Sequence, residues 1–297
     1  MTPEDIRERQ SPSEERKRYV ETSQGTPFRP RGFYWFAFSS WHAGSNLSRL
    51  PVGLRQLGML IRNWRVFWRP RRLEFHHLSD GMGVKVLMPF MNDDVFKKSY
   101  ERMILASGSP NDPGIQHRIH QALWAASVCK NVEGDFVECG SARGLVFSAV
   151  LESLPEWPTM TKHVWLFDTF SPHKLNEKTG DNDPSQAKHS RYAVDVEHTA
   201  KNFSEWDRVH LVAGRLPETL AGANLKSIAF LHIDLNFPET EKQVLRTLWP
   251  LVSKGGIVLL DDYGSNEAQN SAMREVAKEL GFEILSTGNT AGIIVKS

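Results

Sequence analysis

The chain has 297 residues with 40% hydrophobic content, enough to bury one substantial core, which excludes wholesale disorder, a collagen-like repeat and a small disulfide scaffold. Lys plus Arg number 36 against 35 Asp plus Glu, a formal charge of +1, so neither a globally basic nucleic-acid binder nor an acidic solvating protein is expected. The total conceals a partition: between Thr22 and Leu73 stand nine arginines and no acid, a block of +9, which leaves 27 basic against 35 acidic residues, or −8, for the rest.

Residues 1–24 are dense in charge and carry no apolar core, so they read as a mobile tail and not as a secretory signal or a spanning segment. Residues 25–91 form an accessory segment rich in arginine and aromatics. Phe28 to Trp41 packs seven aromatics into fourteen residues, and Leu54, Leu57, Ile61, Trp64 and Trp68 fall on one helical stripe with Arg55, Arg62, Arg65 and Arg69 on the adjoining sector. Such a helix either packs its stripe on the rest of the chain or on a sister subunit of a homo-oligomer, or lies through residues 28–72 on an anionic membrane surface. Interleaved arginines and aromatics also suit single-stranded nucleic acid, but nothing else in the chain supports a nucleic-acid partner. The two cysteines, Cys129 and Cys139, form no CxxC pair and have no histidines at zinc-finger spacing, so a reducing, cytoplasmic setting is the simplest expectation. No apolar run reaches the length of about 18 residues that a spanning helix needs.

From Asn92 to Ser297 short β-rich runs alternate with helical ones. Ile115 to Lys130 has helical spacing, Asp135 to Glu138 is a short apolar run ending in an acid, and Leu145 to Leu154 is helical again. His163–Phe167, Val209–Val212, Ile228–Ile233, Ile257–Leu260 and Ile293–Val295 predict strands, with helices at Glu239–Trp249 and Glu267–Leu280. Continuous apolar strands separated by helices predict an α/β, Rossmann-like, doubly wound and mostly parallel sheet, whose ligands sit at the carboxyl ends of the strands.

Those strand ends carry the chemistry. GDFVECGSARG places Glu138, Gly140, Ser141 and Gly144 at the turn into a helix, where glycines let the backbone approach a ligand; the spacing is not that of dinucleotide binders. WLFDTF leaves Asp168 where an acid can accept hydrogen bonds from a ribose diol, although a lone acid there also serves as a helix cap or turn former. Gly214 and Arg215 of LVAGRLPETL are expected beside the same cleft. AFLHIDLNFPET and GGIVLLDDYG deliver Asp234, Asp261 and Asp262 directly after apolar runs. Ends of neighbouring strands lie about 5 Å apart, so the three acids can converge. Crowded carboxylates raise one another's pKa, and a hard divalent cation, Mg²⁺ above all, resolves the conflict; the plainer alternative has Asp261 capping a helix and Asp262 in solvent.

Taken together, GDFVECGSARG, WLFDTF, RYAVDVEHTAKNF, GRLPETL, FLHIDLNFPET and GGIVLLDDYG resemble the macrocin O-methyltransferase family, class I S-adenosylmethionine-dependent enzymes that methylate sugar hydroxyls in antibiotic biosynthesis. The resemblance runs in order from about Arg118 to the carboxyl terminus. It implies that Glu138, Gly140 and Gly144 flank the methionine part of the methyl donor, that Asp168 holds its ribose, and that Asp234, Asp261 and Asp262 bind Mg²⁺. A sulfonium donor suits acidic neighbours better than a phosphate nest would. The implied acceptor is a small-molecule hydroxyl, on a sugar or a glycosylated or other natural product.

One position departs from that pattern. Relatives place an acid or histidine two residues beyond the first metal ligand as proposed general base, and this chain has Asn236, which cannot take a proton at neutral pH. His232, two residues before Asp234, and His173, in the loop after Asp168, are the other candidates for that role, though a histidine within an apolar run is more often a satisfied core residue. Ser171 to about Asp195 is predominantly polar and predicts either a lid over substrate or a surface insertion. Two competing functions stay open at this level: a donor-binding but catalytically altered member of the fold, and a peripheral adaptor for anionic surfaces built on the arginine block.

Overall fold

The computed structural model describes residues 77–80, 82–84, 88–109, 111–170 and 196–297. The charged tail, the helical stripe from Leu54 to Trp68, the 28–72 membrane-contact candidate, the 171–195 stretch and His173 all lie outside the described residues. Described first is a hairpin of β1 (His77–Ser79) and β2 (Met82–Val84). A sheet follows, made of β3 (Asp135–Cys139), β4 (Val164–Asp168), β5 (Val209–Ala213), β6 (Ile228–Ile233), β7 (Val252–Leu260), β8 (Leu285–Ser286) and β9 (Gly292–Val295), in the order β5-β4-β3-β6-β7-β9-β8. Strands β3 to β7 pair in parallel, and β9 joins β7 and β8 antiparallel. The mostly parallel α/β architecture expected from the sequence is the one observed.

The described helices are α1 (Asp94–Ser107), α2 (Gln116–Cys129), α3 (Leu145–Glu152), α4 (Val196–Asn202), α5 (Pro238–Leu248) and α6 (Glu267–Leu280). Local chemistry sets several of their ends. Asp93 and Asn266 accept hydrogen bonds from the N–H groups of Phe96 and Gln269 as N-caps of α1 and α6, and left-handed Gly108 and Gly281 stop those two helices.

Every residue of β6 is buried, as a strand covered on both faces requires. The pleat sorts β3 and β6 into two sets. Val137, Cys139, Leu231 and Ile233 join the cluster that includes Val244, Leu245 and Leu248 of α5 and Met273 and Val276 of α6. On the other face Phe230 stacks on Phe147 of α3 at 5.5 Å and meets Phe136 edge-on at 5.8 Å. Glu138 and His232 share that second face with Phe136 and Phe230, two residues further toward the carboxyl ends.

Strand β7 begins five residues before the predicted Ile257. The β6–β7 register moves from Ile228↔Val252 to Phe230↔Ile257, so extra β7 residues bulge out around left-handed Gly255, and the polar string Ser-Lys-Gly-Gly hides the strand from an alternation test. Cys129 and Cys139 are free and buried. Among the described residues no helix is long and apolar enough to cross a membrane.

Candidate active site

The strand order reverses at β3, which pairs with β4 on one side and β6 on the other. Such a switch point opens a crevice at the strands' carboxyl ends. Here the crevice is drawn tight: Asp234 donates its N–H to the carbonyl of Cys139 at 2.8 Å, and Gly140 and Ser141 donate to Phe167 at 2.8 and 3.2 Å. Gly140 has φ +92°, and a Cβ there would stand 1.8 Å from the Asp234 carbonyl oxygen. No other residue type fits while the two strand ends stay joined. Gly144, at φ +72°, lies against the ring of Phe203, which a Cβ would meet at 2.2 Å.

Between them Ala142 is held at φ +43° and donates its N–H to Asp168 Oδ2 at 2.8 Å, while Asp168 Oδ1 accepts from Phe170 N at 3.0 Å. Asp168 thus ties the glycine turn to the loop leaving β4. Gly214 donates its N–H to the Asp168 carbonyl at 2.9 Å, one strand further out; the carbonyl of Arg215 next to it accepts from Thr219. Two buried side-chain oxygens of the turn, Glu138 Oε2 and Ser141 Oγ, have no hydrogen-bond partner among the described residues. A polar ligand seated on the turn would satisfy such atoms.

Beside this turn, Asp261 donates its N–H to the carbonyl of Ile233 at 3.0 Å, which brings the ends of β6 and β7 together. Asp234, Asp261 and Asp262 each offer an oxygen, and these oxygens lie within 4.8 Å of one another. Burial and the neighbouring Asp261 charge push the Asp234 carboxyl well above the usual carboxylate range. An all-oxygen set of crowded acids fits a hard divalent cation.

Two cations partly offset the acids. His232 is 1% exposed and sits between Glu138 and Asp261, its Nδ1 3.0 Å from Glu138 Oε1 and its Nε2 3.9 Å from Asp261 Oδ1. Burial opposes its charge, but the two carboxylates outweigh burial and push its pKa up to about 10. Arg118, from α2, pairs with Asp261 Oδ2, and its Nε lies 3.3 Å from Asp80 Oδ1. Asp80 also accepts from the backbone N–H of His117 at 2.8 Å, so the β1–β2 hairpin anchors this arginine. Burial acts against ionised Asp261, yet His232 and Arg118 hold its carboxyl below the usual range.

The structure therefore brings Glu138, Gly140, Ser141, His232, Asp234, Asn236, Asp261 and Asp262 to one region, with Asp168 and Gly144 closing the turn on the β4 side. Gly214 and Arg215 stand beside Asp168, three strands from Asp234 in the sheet order. Asn236 directs its amide to Asp234 Oδ1 at 3.1 Å. Sequence reasoning missed Arg118, Asp80 and Glu241. Glu241 carried a signal: it is a buried acid on the same helical stripe as Val244, Leu245 and Leu248. Arg118 and Asp80 carried none, since their partners come from distant parts of the chain.

Comparison with known proteins finds similarity to O-methyltransferases. The chain is 32% identical over 141 residues to the demethyldecarbamoylnovobiocin O-methyltransferase of Streptomyces niveus, covering 45% of this chain and 54% of that protein. It is 27% identical over 161 residues to the mycinamicin III 3''-O-methyltransferase of Micromonospora griseorubida, covering 50% of this chain and 61% of that protein. It thus spans little more than half the length of these curated relatives. Among solved structures, the O-methyltransferase NovP superposes with a TM-score of 0.55 at 24% identity, over 62% of this chain and 81% of that one, which shows the shared fold. The family described as macrocin-O-methyltransferase (TylF) matches residues 116–283, a stretch that contains the glycine turn, Asp168 and all three aspartates. With more than half of its residues inside that match, the chain belongs to the macrocin O-methyltransferase family.

Proposed function

We propose that the protein transfers the methyl group of S-adenosylmethionine to a hydroxyl of a sugar-bearing or other natural-product acceptor, with a divalent cation, Mg²⁺, at Asp234, Asp261 and Asp262. The observation that carries the proposal is the meeting of the Glu138–Gly144 turn and the three-aspartate cluster at the joined ends of β3, β6 and β7. The relatives, named as O-methyltransferases of natural products, support the same acceptor class.

In the reaction a sulfur–methyl bond breaks, an oxygen–methyl bond forms, S-adenosylhomocysteine leaves and the hydroxyl's proton passes to water. Glu138 and Ser141 offer buried, unsatisfied oxygens to the polar amino-acid end of the donor, and Gly140 keeps the floor of the turn free of side chain. When bound, Mg²⁺ supplies a positive seat that orients the acceptor hydroxyl and lowers its pKa. Neither nearby nitrogen-bearing side chain serves as base: Asn236 is an amide, and His232 has both ring nitrogens directed at carboxylates.

Calorimetry tests the proposal. S-adenosylhomocysteine and Mg²⁺ are each expected to bind, and Asp234→Ala and Asp262→Ala to abolish Mg²⁺ binding while sparing that of S-adenosylhomocysteine. Failure of S-adenosylhomocysteine to bind would overturn the donor assignment. Unchanged Mg²⁺ affinity in both variants would overturn the metal assignment. Donor binding without methyl transfer to any glycosylated acceptor would favour the catalytically altered reading that Asn236 raises.

A further inference from the structure

Strand β6 ends at Ile233 and α5 begins at Pro238, so the chain must reverse within four residues while presenting Asp234. It does so at Asn236, whose φ is +60°. Among non-glycine residues asparagine tolerates this left-handed region best. The turn is fixed from outside: the successive N–H groups of Leu235 and Asn236 both donate to one oxygen of Glu241, Oε1, at 3.2 and 3.0 Å. Glu241 is 1% exposed and is itself seated in the first turn of α5, its N–H donated to the Phe237 carbonyl at 2.9 Å. From the turn so fixed, the Asn236 side-chain amide donates to Asp234 Oδ1 at 3.1 Å.

These contacts show what an amide does at this position. An aspartate at this position would set a fourth carboxylate against Asp234 and, when ionised, could only accept where the observed contact needs a donor. A buried carboxylate that accepts two backbone N–H bonds is a strong fixture.

We infer that Asn236 and Glu241 are positioning residues that together aim Asp234: Glu241 pins the left-handed turn, and the Asn236 amide holds one Asp234 oxygen so that the carboxylate meets the cation in a single orientation. The inference rests on the metal reading proposed above. It assigns Asn236 a donor's task in place of a base's.

The test is calorimetric titration of the full chain with Mn²⁺, with S-adenosylhomocysteine titrated in parallel and the Mn²⁺ paramagnetic-resonance spectrum recorded. Asn236→Gly keeps the backbone free to turn left-handed but removes the amide, Glu241→Ala removes the pin, and Glu241→Gln keeps an oxygen able to accept both N–H groups. Removing groups that orient a metal ligand costs about 10–100-fold in metal affinity, and a loss of that order is expected for Asn236→Gly and Glu241→Ala, with altered resonance and unchanged S-adenosylhomocysteine affinity. Glu241→Gln is expected to restore Mn²⁺ affinity and spectrum toward wild type. Should Glu241→Ala fail to fold, Asn236→Gly carries the test by itself. Wild-type affinity and spectrum in Asn236→Gly would overturn the inference alone. Absence of Mn²⁺ binding by the wild-type chain would overturn the metal reading and the inference with it.

Discussion

At Gly140 two demands coincide. Its φ of +92° is costly for any side chain, and the Asp234 carbonyl fills the place of a Cβ. Gly281, at φ +74°, has the first demand only, with nothing within 4 Å of an added Cβ. Gly281→Ala is therefore expected to cost about 1 kcal/mol, the conformational term alone, whereas Gly140→Ala must also part β3 from β6 and lose donor binding. Urea denaturation of both variants separates the two terms, and equal losses would show that close approach adds nothing. A second residue-scale prediction concerns His232. Its replacement by leucine leaves Glu138 and Asp261 buried without the cation between them, and breaking a buried pair in this way costs about 3–5 kcal/mol; a loss under 1 kcal/mol by the same assay would mean that Arg118 alone balances the acids.

Among the elements, the β4–β5 edge holds a pair that the proposed chemistry does not use. His163 Nδ1 lies 2.8 Å from His210 Nε2, and the His210 ring stacks on Trp165 at 4.3 Å. Such a contact needs a donor facing an acceptor, so at least one ring is neutral. Burial first, and then the neighbouring His163, lower the His210 pKa below its ordinary 6.5. A depressed folded-state value means that the unfolded chain binds more protons, so this contribution is present above about pH 6.5 and is lost as pH falls through the lowered value. Melting temperatures recorded from pH 7.5 down to 5 are expected to fall more for wild type than for His210→Asn; parallel curves would remove His210 from the acid response.

The same scale shows what could be read beforehand and why the rest could not. Helix α6 was legible to the residue, since Asn266 and Gly281 mark its ends and its apolar stripe is unbroken. Strands β3 and β6 were legible because burial on both faces leaves them mostly apolar, with Asp135, Glu138 and His232 the exceptions. Helix α1 is missing from the expected elements even though Phe96, Tyr100, Met103 and Ile104 form a helical stripe, because charged residues dominate the window around them. The aspartates were legible as acids terminating apolar strands. Arg118 was not: it meets Asp261 across 143 residues, and only tertiary structure creates that pair.

For the molecule as a whole, the near-neutral charge resolves into local balances. Glu138, Asp234, Asp261 and Asp262 gather in one region, and Arg118 and His232 are the cations set among them. The hairpin that anchors Arg118 belongs, with everything after it, to the compact unit Leu73–Ser297, which contains both halves of the candidate site. A chain starting at Leu73 is accordingly expected to bind S-adenosylhomocysteine as the full chain does, and loss of that binding would show that residues 1–72 complete the donor site. Flotation of the two chains with anionic vesicles measures separately what the arginine block contributes.

The pairing of β3 with β6 has a consequence for how the protein reaches its native state. Glu138 and His232 face each other across these strands although they stand 94 positions apart in sequence. Closing a loop of that length is slow compared with forming the helices or the nearer contacts on either side of it. Neither β3 with β4 and β5, nor β6 with the strands that follow, contains the site alone. During refolding from urea, recovery of S-adenosylhomocysteine binding should therefore lag behind recovery of helical circular dichroism, which makes the ligand a late-stage reporter of the two halves docking.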